Sequence, residues 1–200
     1  MVVVLDIFCG TKSVKKICDK KGWKYIGLDI DKSFEPDICI DFMDWDYKTE
    51  WKNPPDIIWF SPECRCYSMA SGNTHFNADH SCKTDAARKS LKILQKIKEM
   101  IDYFNCFYII ENPRARMRWF MNDYPRYTVA YCRYGFNRMK PTDIFTNLKG
   151  FKPQMCNNGN KDHIAAPRGS KTGTQGIPKK ERYKVPPLLI EDLFNLLPIN

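Results

Sequence analysis

Asp56-Ile57-Ile58-Trp59-Phe60-Ser61-Pro62-Glu63-Cys64 is the stretch that decides the fold class. An unbroken apolar run stops abruptly at a turn built on proline. A run that short, with no alternation of polar residues, reads as a strand covered on both faces. Strands of that kind belong to parallel sheets with helices on each side. The turn then delivers a thiol just past the strand's carboxyl end, the edge at which open α/β sheets bind their ligands.

The same texture recurs on either side. Residues 2–8 read as a β-branched strand, 24–29 as a second, 37–41 as a short third and 106–111 as a fifth. Residues 12–21 read as a short basic helix ending at Gly22. Residues 84–104 place Leu91, Ile93, Leu94, Ile97 and Ile101 at helical spacing, opposite lysines. Alternation of this kind predicts an α/β fold with a doubly wound, mostly parallel sheet. Residues 126–147 suggest two strands broken by a turn at 135–141. Residues 148–184 are poor in apolar side chains and rich in Gly, Asn, Lys and Pro. The expected organisation is a core over 1–147, a small basic loop-rich insert over 148–184, and a C-terminal helix over 185–200 packed on the core. Two hundred residues are enough for one domain with a substantial interior.

Charge is unevenly spread. The chain carries a net +9, yet residues 1–60 hold nine lysines and arginines against eleven acidic residues. Residues 112–185 hold sixteen against four. One basic half suggests a polyanion, DNA or RNA, bound on one side. No run is long enough to span a bilayer, and the N-terminus lacks a signal-peptide pattern, so the expectation is an intracellular, membrane-free monomer. Nine cysteines, an odd count, fit a reducing setting. Cys9, Cys39, Cys106 and Cys132 sit in apolar patterns and read as small core residues. Cys64 and Cys66 precede His75, His80 and Cys82, and Cys156 precedes His163. No paired Cys-x-x-Cys spacing occurs, so no metal site is expected.

Gly10, Asp29, Asp41, Cys64 and Glu111 each fall at or beyond the end of a predicted strand. Gly10, in Asp6-Ile7-Phe8-Cys9-Gly10-Thr11, would let a cofactor approach the backbone. Asp29 could accept hydrogen bonds from ribose hydroxyls. Cys64 sits in a polar turn ill suited to a core residue, which marks it as a nucleophile, with Cys66 as rival. Glu111 closes an apolar strand before Asn112-Pro113, where a shielded carboxyl could hold and donate a proton.

These motifs together resemble the cytosine carbon-5 DNA methyltransferases, in the short form of phages and other viruses. Asp6-Ile7-Phe8-Cys9-Gly10 resembles the family's first cofactor motif, Asp-Leu-Phe-x-Gly. Ser61-Pro62-Glu63-Cys64 with Ser68 resembles its Pro-Pro-Cys-x-x-x-Ser nucleophile motif, and Glu111-Asn112-Pro113 its Glu-Asn-Val motif. Tyr134-Gly135 through Asn147 resembles the strand pair after the active site, and residues 185–189 resume the likeness. The resemblance implies a Rossmann-like fold that uses S-adenosylmethionine, with Asp6, Phe8, Gly10, Asp29, Asp41 and Pro62 around the cofactor. It implies catalysis by Cys64 and Glu111, with Lys140 on the family's Gln-x-Arg-x-Arg pattern beside Arg138 and Thr142. It implies methyl transfer to carbon-5 of cytosine in DNA. The alternatives are a catalytically impaired nucleic-acid-binding protein of the same fold and an RNA cytosine methyltransferase. The chain departs from the family at Glu63, where a proline is usual. A carboxylate there opposes thiolate formation unless Arg65 offsets it. Gly173-Thr174-Gln175-Gly176 stands near the place of the family's Gly-Asn-Ser motif.

Overall fold

The computed structural model describes residues 1–198 apart from 158–159, 162, 168 and 170–173. Seven strands form one sheet in the order β3-β2-β1-β4-β5-β7-β6. They are β1 (Val3–Ile7), β2 (Lys24–Asp29), β3 (Ile38–Cys39), β4 (Ile57–Phe60), β5 (Phe107–Pro113), β6 (Arg126–Ala130) and β7 (Pro141–Thr146). The first five are parallel, and β7 runs antiparallel between β5 and β6. The expected doubly wound sheet is present.

Helices cover both faces, which is why β4 is apolar throughout and β1 is apolar apart from Asp6. Helix α3 (Asp85–Phe104) turns Leu94, Ile97, Met100 and Ile101 onto one face, against Leu5, Ile7, Ile58, Phe60 and Ile110. Thr84 caps it by accepting the amide of Ala87, and Asn105 ends it in a left-handed turn. On the other face α1 (Ser13–Lys21) and α6 (Pro187–Phe194) bury Val14, Ile17, Leu189, Ile190 and Leu193 against Val4, Ile57, Trp59 and Ile109. Three short helices complete the set: α2 (Tyr47–Glu50), α4 (Met117–Phe120) and α5 (Lys179–Arg182). Among the described residues, no helix is long and apolar enough to cross a membrane.

Two expectations need correcting. Cys39 is exposed, because β3 is a two-residue strand at the sheet's edge. The fifth strand also runs past Glu111 to Pro113. Arg114 donates its amide to Pro141 of β7, so the Pro113 nitrogen faces the opposite side. There β4 has already ended at Phe60, and the missing N–H costs no ladder bond.

The antiparallel pair is locked by a buried carboxylate. Asp143 on β7 is 1 % exposed and takes both arms of the Arg118 guanidinium, at 2.6 and 2.7 Å, plus the Thr128 hydroxyl. Arg118→Met leaves that charge buried without its cation and is expected to cost about 3 kcal/mol in urea unfolding. The paired change Arg118→Met with Asp143→Leu is expected to recover most of the loss.

Candidate active site

The carboxyl ends of β1, β2, β4 and β5 open into a cleft of about 1490 Å³. Every predicted site residue lines it: Asp6, Phe8, Gly10, Asp29, Asp41, Pro62, Cys64, Glu111 and Lys140. The volume exceeds that of a pocket for one small molecule and suits two reactants side by side.

One end is built from the turns after β1, β2 and β3. Phe8 takes a left-handed conformation (φ 64°), a strain that non-glycine residues carry mainly at functional sites. Gly10 is also left-handed, and its amide donates to Asp29 at 2.9 Å. The second Asp29 oxygen accepts the Asp31 amide. The carboxylate is thereby fixed in place at the edge of the cleft. Asp6 lies beneath, 2 % exposed, and accepts the Tyr25 hydroxyl. Burial pushes its carboxyl up to about 8. The Tyr25 ring can reach it because Gly27 lacks a side chain: a Cβ there would sit 2.5 Å from the Tyr25 hydroxyl. Asp41 is held below the usual carboxylate range by the Met43 amide and by Lys89 of α3. Lys96, also on α3, gathers the carbonyls of Phe42, Met43 and Trp45 and shapes the loop that follows.

The other end holds the thiol. The loop after β4 is clamped from β5 and the segment beyond it. Asn112, fully buried, donates to the Pro62 carbonyl at 3.0 Å. Arg116 donates its amide to Tyr67 and its guanidinium to Ser68 and Asn73. Cys64 is thus held partly exposed at the cleft floor, while Cys66 is buried in the core beside α3. Burial raises the Cys64 thiol above its ordinary value, Glu111 raises it further, and Lys140 opposes both. Glu63 contributes least. Arg65 binds it through two nitrogens at 3.0 and 2.7 Å, on the exposed side of the turn. Glu63, which stands where the family has a proline, thus acts on the thiol less than burial or Glu111 does.

Glu111 is 7 % exposed. It accepts the Tyr131 hydroxyl at 2.6 Å, and the Lys140 ammonium stands 3.7 Å away. That ammonium also sits 4.5 Å over the Tyr131 ring and donates to the Arg182 carbonyl. Arg138 instead binds the carbonyls of Ile164 and Ala165, and Thr142 is buried beneath the site. Sequence reasoning missed Tyr131, Arg116 and Lys96. Tyr131 carries no motif, and its part follows only from the fold-back of β7 beside β5. Gly173 of the residue 173–176 segment lies outside the described residues.

At a fixed pH below its pKa, a thiol alkylates in proportion to its thiolate fraction. Glu111→Gln removes an opposing charge and is expected to move the midpoint of Cys64 alkylation to lower pH. Lys140→Met removes the supporting charge and is expected to move it to higher pH. Near neutrality the rates should change about threefold to tenfold, in opposite senses. Iodoacetamide labelling read at Cys64 by peptide mass spectrometry checks both.

No protein-family model matches the chain. The "Probable DNA (cytosine-5)-methyltransferase" of Frog virus 3 is 31 % identical over 214 residues, spanning 96 % of this chain and 99 % of that one. Among solved structures, an Entamoeba histolytica methyltransferase superposes with a TM-score of 0.59 at 12 % identity, covering 98 % of both chains. The Spodoptera frugiperda protein DNMT2, in a substituted form, gives 0.50 at 13 % identity over 80 % of this chain and 56 % of that one. At those identities the structural likenesses speak for the fold alone. Sequence identity over nearly the whole length, with the motif residues gathered in one cleft, places this chain in the DNA (cytosine-5)-methyltransferase family.

Proposed function

We propose that this chain transfers a methyl group from S-adenosylmethionine to carbon-5 of cytosine in DNA, through a covalent adduct at Cys64. The observation that carries the reading is the pairing at one end of the cleft. A partly exposed thiol stands there beside a buried carboxyl held by Tyr131 and Lys140.

The opposite end fits the cofactor's chemistry. Fixed carboxylates at Asp29 and Asp41 suit a ribose diol, an adenine amine and a cationic centre, and the Phe8 and Phe42 rings, which meet edge to face, line the same cleft. S-adenosylmethionine supplies an electrophilic methyl group and departs as a neutral thioether. Pro62 and the Phe8–Gly10 turn would border it.

Carbon-5 of cytosine is a poor nucleophile until carbon-6 is attacked. Cys64, as thiolate, would form a bond to carbon-6 while Glu111 holds a proton at N3, which makes the ring an enamine. Lys140 favours the thiolate. Glu111, once protonated, no longer opposes it, so the two halves of the site assist one another. Carbon-5 would then take the methyl group and lose its proton to water, the sulfur–carbon bond breaking to return the Cys64 thiolate while the N3 proton goes back to Glu111. The base must leave the duplex to reach this depth. The 69–83 loop, whose Met69 lines the cleft, would serve as a lid. We assign target reading to 148–184, because His163 to Pro167 and Arg182 line the same cleft as Cys64. One chain supplies every residue of this reading, so it works as a monomer. Nine unbridged cysteines suit a reducing, intracellular setting.

The test uses labelled methyl donor with duplex DNA, and DNA containing 5-fluorocytosine to trap the adduct. The wild-type chain is expected to label DNA and to form a denaturation-resistant adduct. Cys64→Ser is expected to lose both, with turnover down by at least about 10³-fold, whereas Cys66→Ser keeps them. Salt-sensitive DNA binding without adduct or turnover would instead mark a binding protein. Preferential labelling of RNA in direct competition would move the acceptor.

A further inference from the structure

Cys132, Cys156 and His163 come from separate parts of the chain and meet. Cys132 lies on the turn Tyr131–Tyr134, next to the residue that binds Glu111. Cys156 and His163 belong to the basic insert. One ligand atom from each of the three lies within 4.8 Å of the others, and both thiols are buried. We propose that this trio is a binding site for a zinc-class divalent ion, with two sulfur ligands, the His163 Nδ1 and a water in the fourth position.

One of the three separations already matches that of two ligands around one ion. Bonds of about 2.3 Å to sulfur and about 2.05 Å to nitrogen, at a tetrahedral angle, separate the two atoms by about 3.6 Å. The distance from Cys156 Sγ to His163 Nδ1 is 3.6 Å. The donor set also has the softness that zinc accepts and that magnesium or calcium does not. On binding, two thiols lose their protons to solvent and the ion is left electrically balanced by two thiolates. The insert has need of such a tie. Among the described residues of 148–184, Leu148, Phe151 and Cys156 alone are buried, far too few for an independent core. A metal would pin the His163 to Pro167 stretch, part of the cleft wall, to the turn that carries Tyr131. The sequence concealed the site because its third ligand, Cys132, lies outside the insert and reads as an ordinary core cysteine.

The experiment is metal analysis of the purified full chain, followed by titration of the chelator-treated protein with Zn²⁺ and with Co²⁺. About one equivalent of zinc is expected, and the Co²⁺ form should show thiolate-to-cobalt absorption with tetrahedral d–d bands. Cys132→Ser, Cys156→Ser and His163→Ala should bind Zn²⁺ more than about 100-fold more weakly, beyond the cost of losing an outer partner. Cys39→Ser serves as the control and should bind as wild type does. The wild-type cobalt spectrum needs no variant to fold. A wild-type chain that takes up neither ion overturns the proposal. So does a cobalt spectrum that survives Cys156→Ser, or a denatured-state thiol count two short of the nine cysteines, which would mean a Cys132–Cys156 disulfide. None of these readouts depends on methyl transfer.

Discussion

A carboxyl group buried as deeply as Glu111 must be given donors or it would unfold the strand that carries it. Much of this molecule's second half is arranged around that requirement. β7 returns antiparallel along β5 and brings Lys140 to its own start. The turn before β7 brings the Tyr131 hydroxyl to 2.6 Å from the carboxyl. The Arg118–Asp143–Thr128 network then fixes β6 and β7 against one another. Charge in the active site is thus held by strand pairing, which positions groups more rigidly than a loop would.

The same economy governs the thiol. Segment 111–116 supplies the Glu111 carboxyl and also the clamp on the cysteine loop, through Asn112 and Arg116. The thiol and the carboxyl cannot drift apart independently, because one short stretch holds both. The local electrostatics are balanced on the same scale. Lys140 counters Glu111 at the thiol, and Arg65 draws Glu63 outward. A carboxylate beside a nucleophilic cysteine looks damaging when the turn is read alone. In the fold its neighbour two residues on binds it at the surface, and it acts on the thiol less than burial or Glu111 does.

The parallel half of the sheet was legible from local pattern. The apolar runs at 2–5 and 57–60 can be buried on both faces only if helices cover them. The helical spacing of Leu91, Leu94, Ile97 and Ile101 provides one such cover. Strand ends then follow, and with them Gly10, Asp29, Cys64 and Glu111 on one edge. The exposure of Cys39 was not legible, because a strand's place at the edge of a sheet is set by what pairs beside it. Nor was the passage of β5 through Pro113, which depends on β4 having stopped at Phe60.

What the chain of residues conveys is therefore everything carried by short-range periodicity and by turn chemistry: the α/β class, and the meeting of Gly10, Asp29, Cys64 and Glu111 at one edge of the sheet. What it leaves to the folded state is every partnership between distant segments. Tyr131 reaches Glu111 across twenty residues, Asn112 reaches Pro62 across fifty, and Cys132 reaches Cys156 and His163 from outside the insert. Hydrophobic pattern places an element on a face. It carries no information about which polar atom will stand opposite, since that is decided by strand register and by the demand that each buried polar group find a partner.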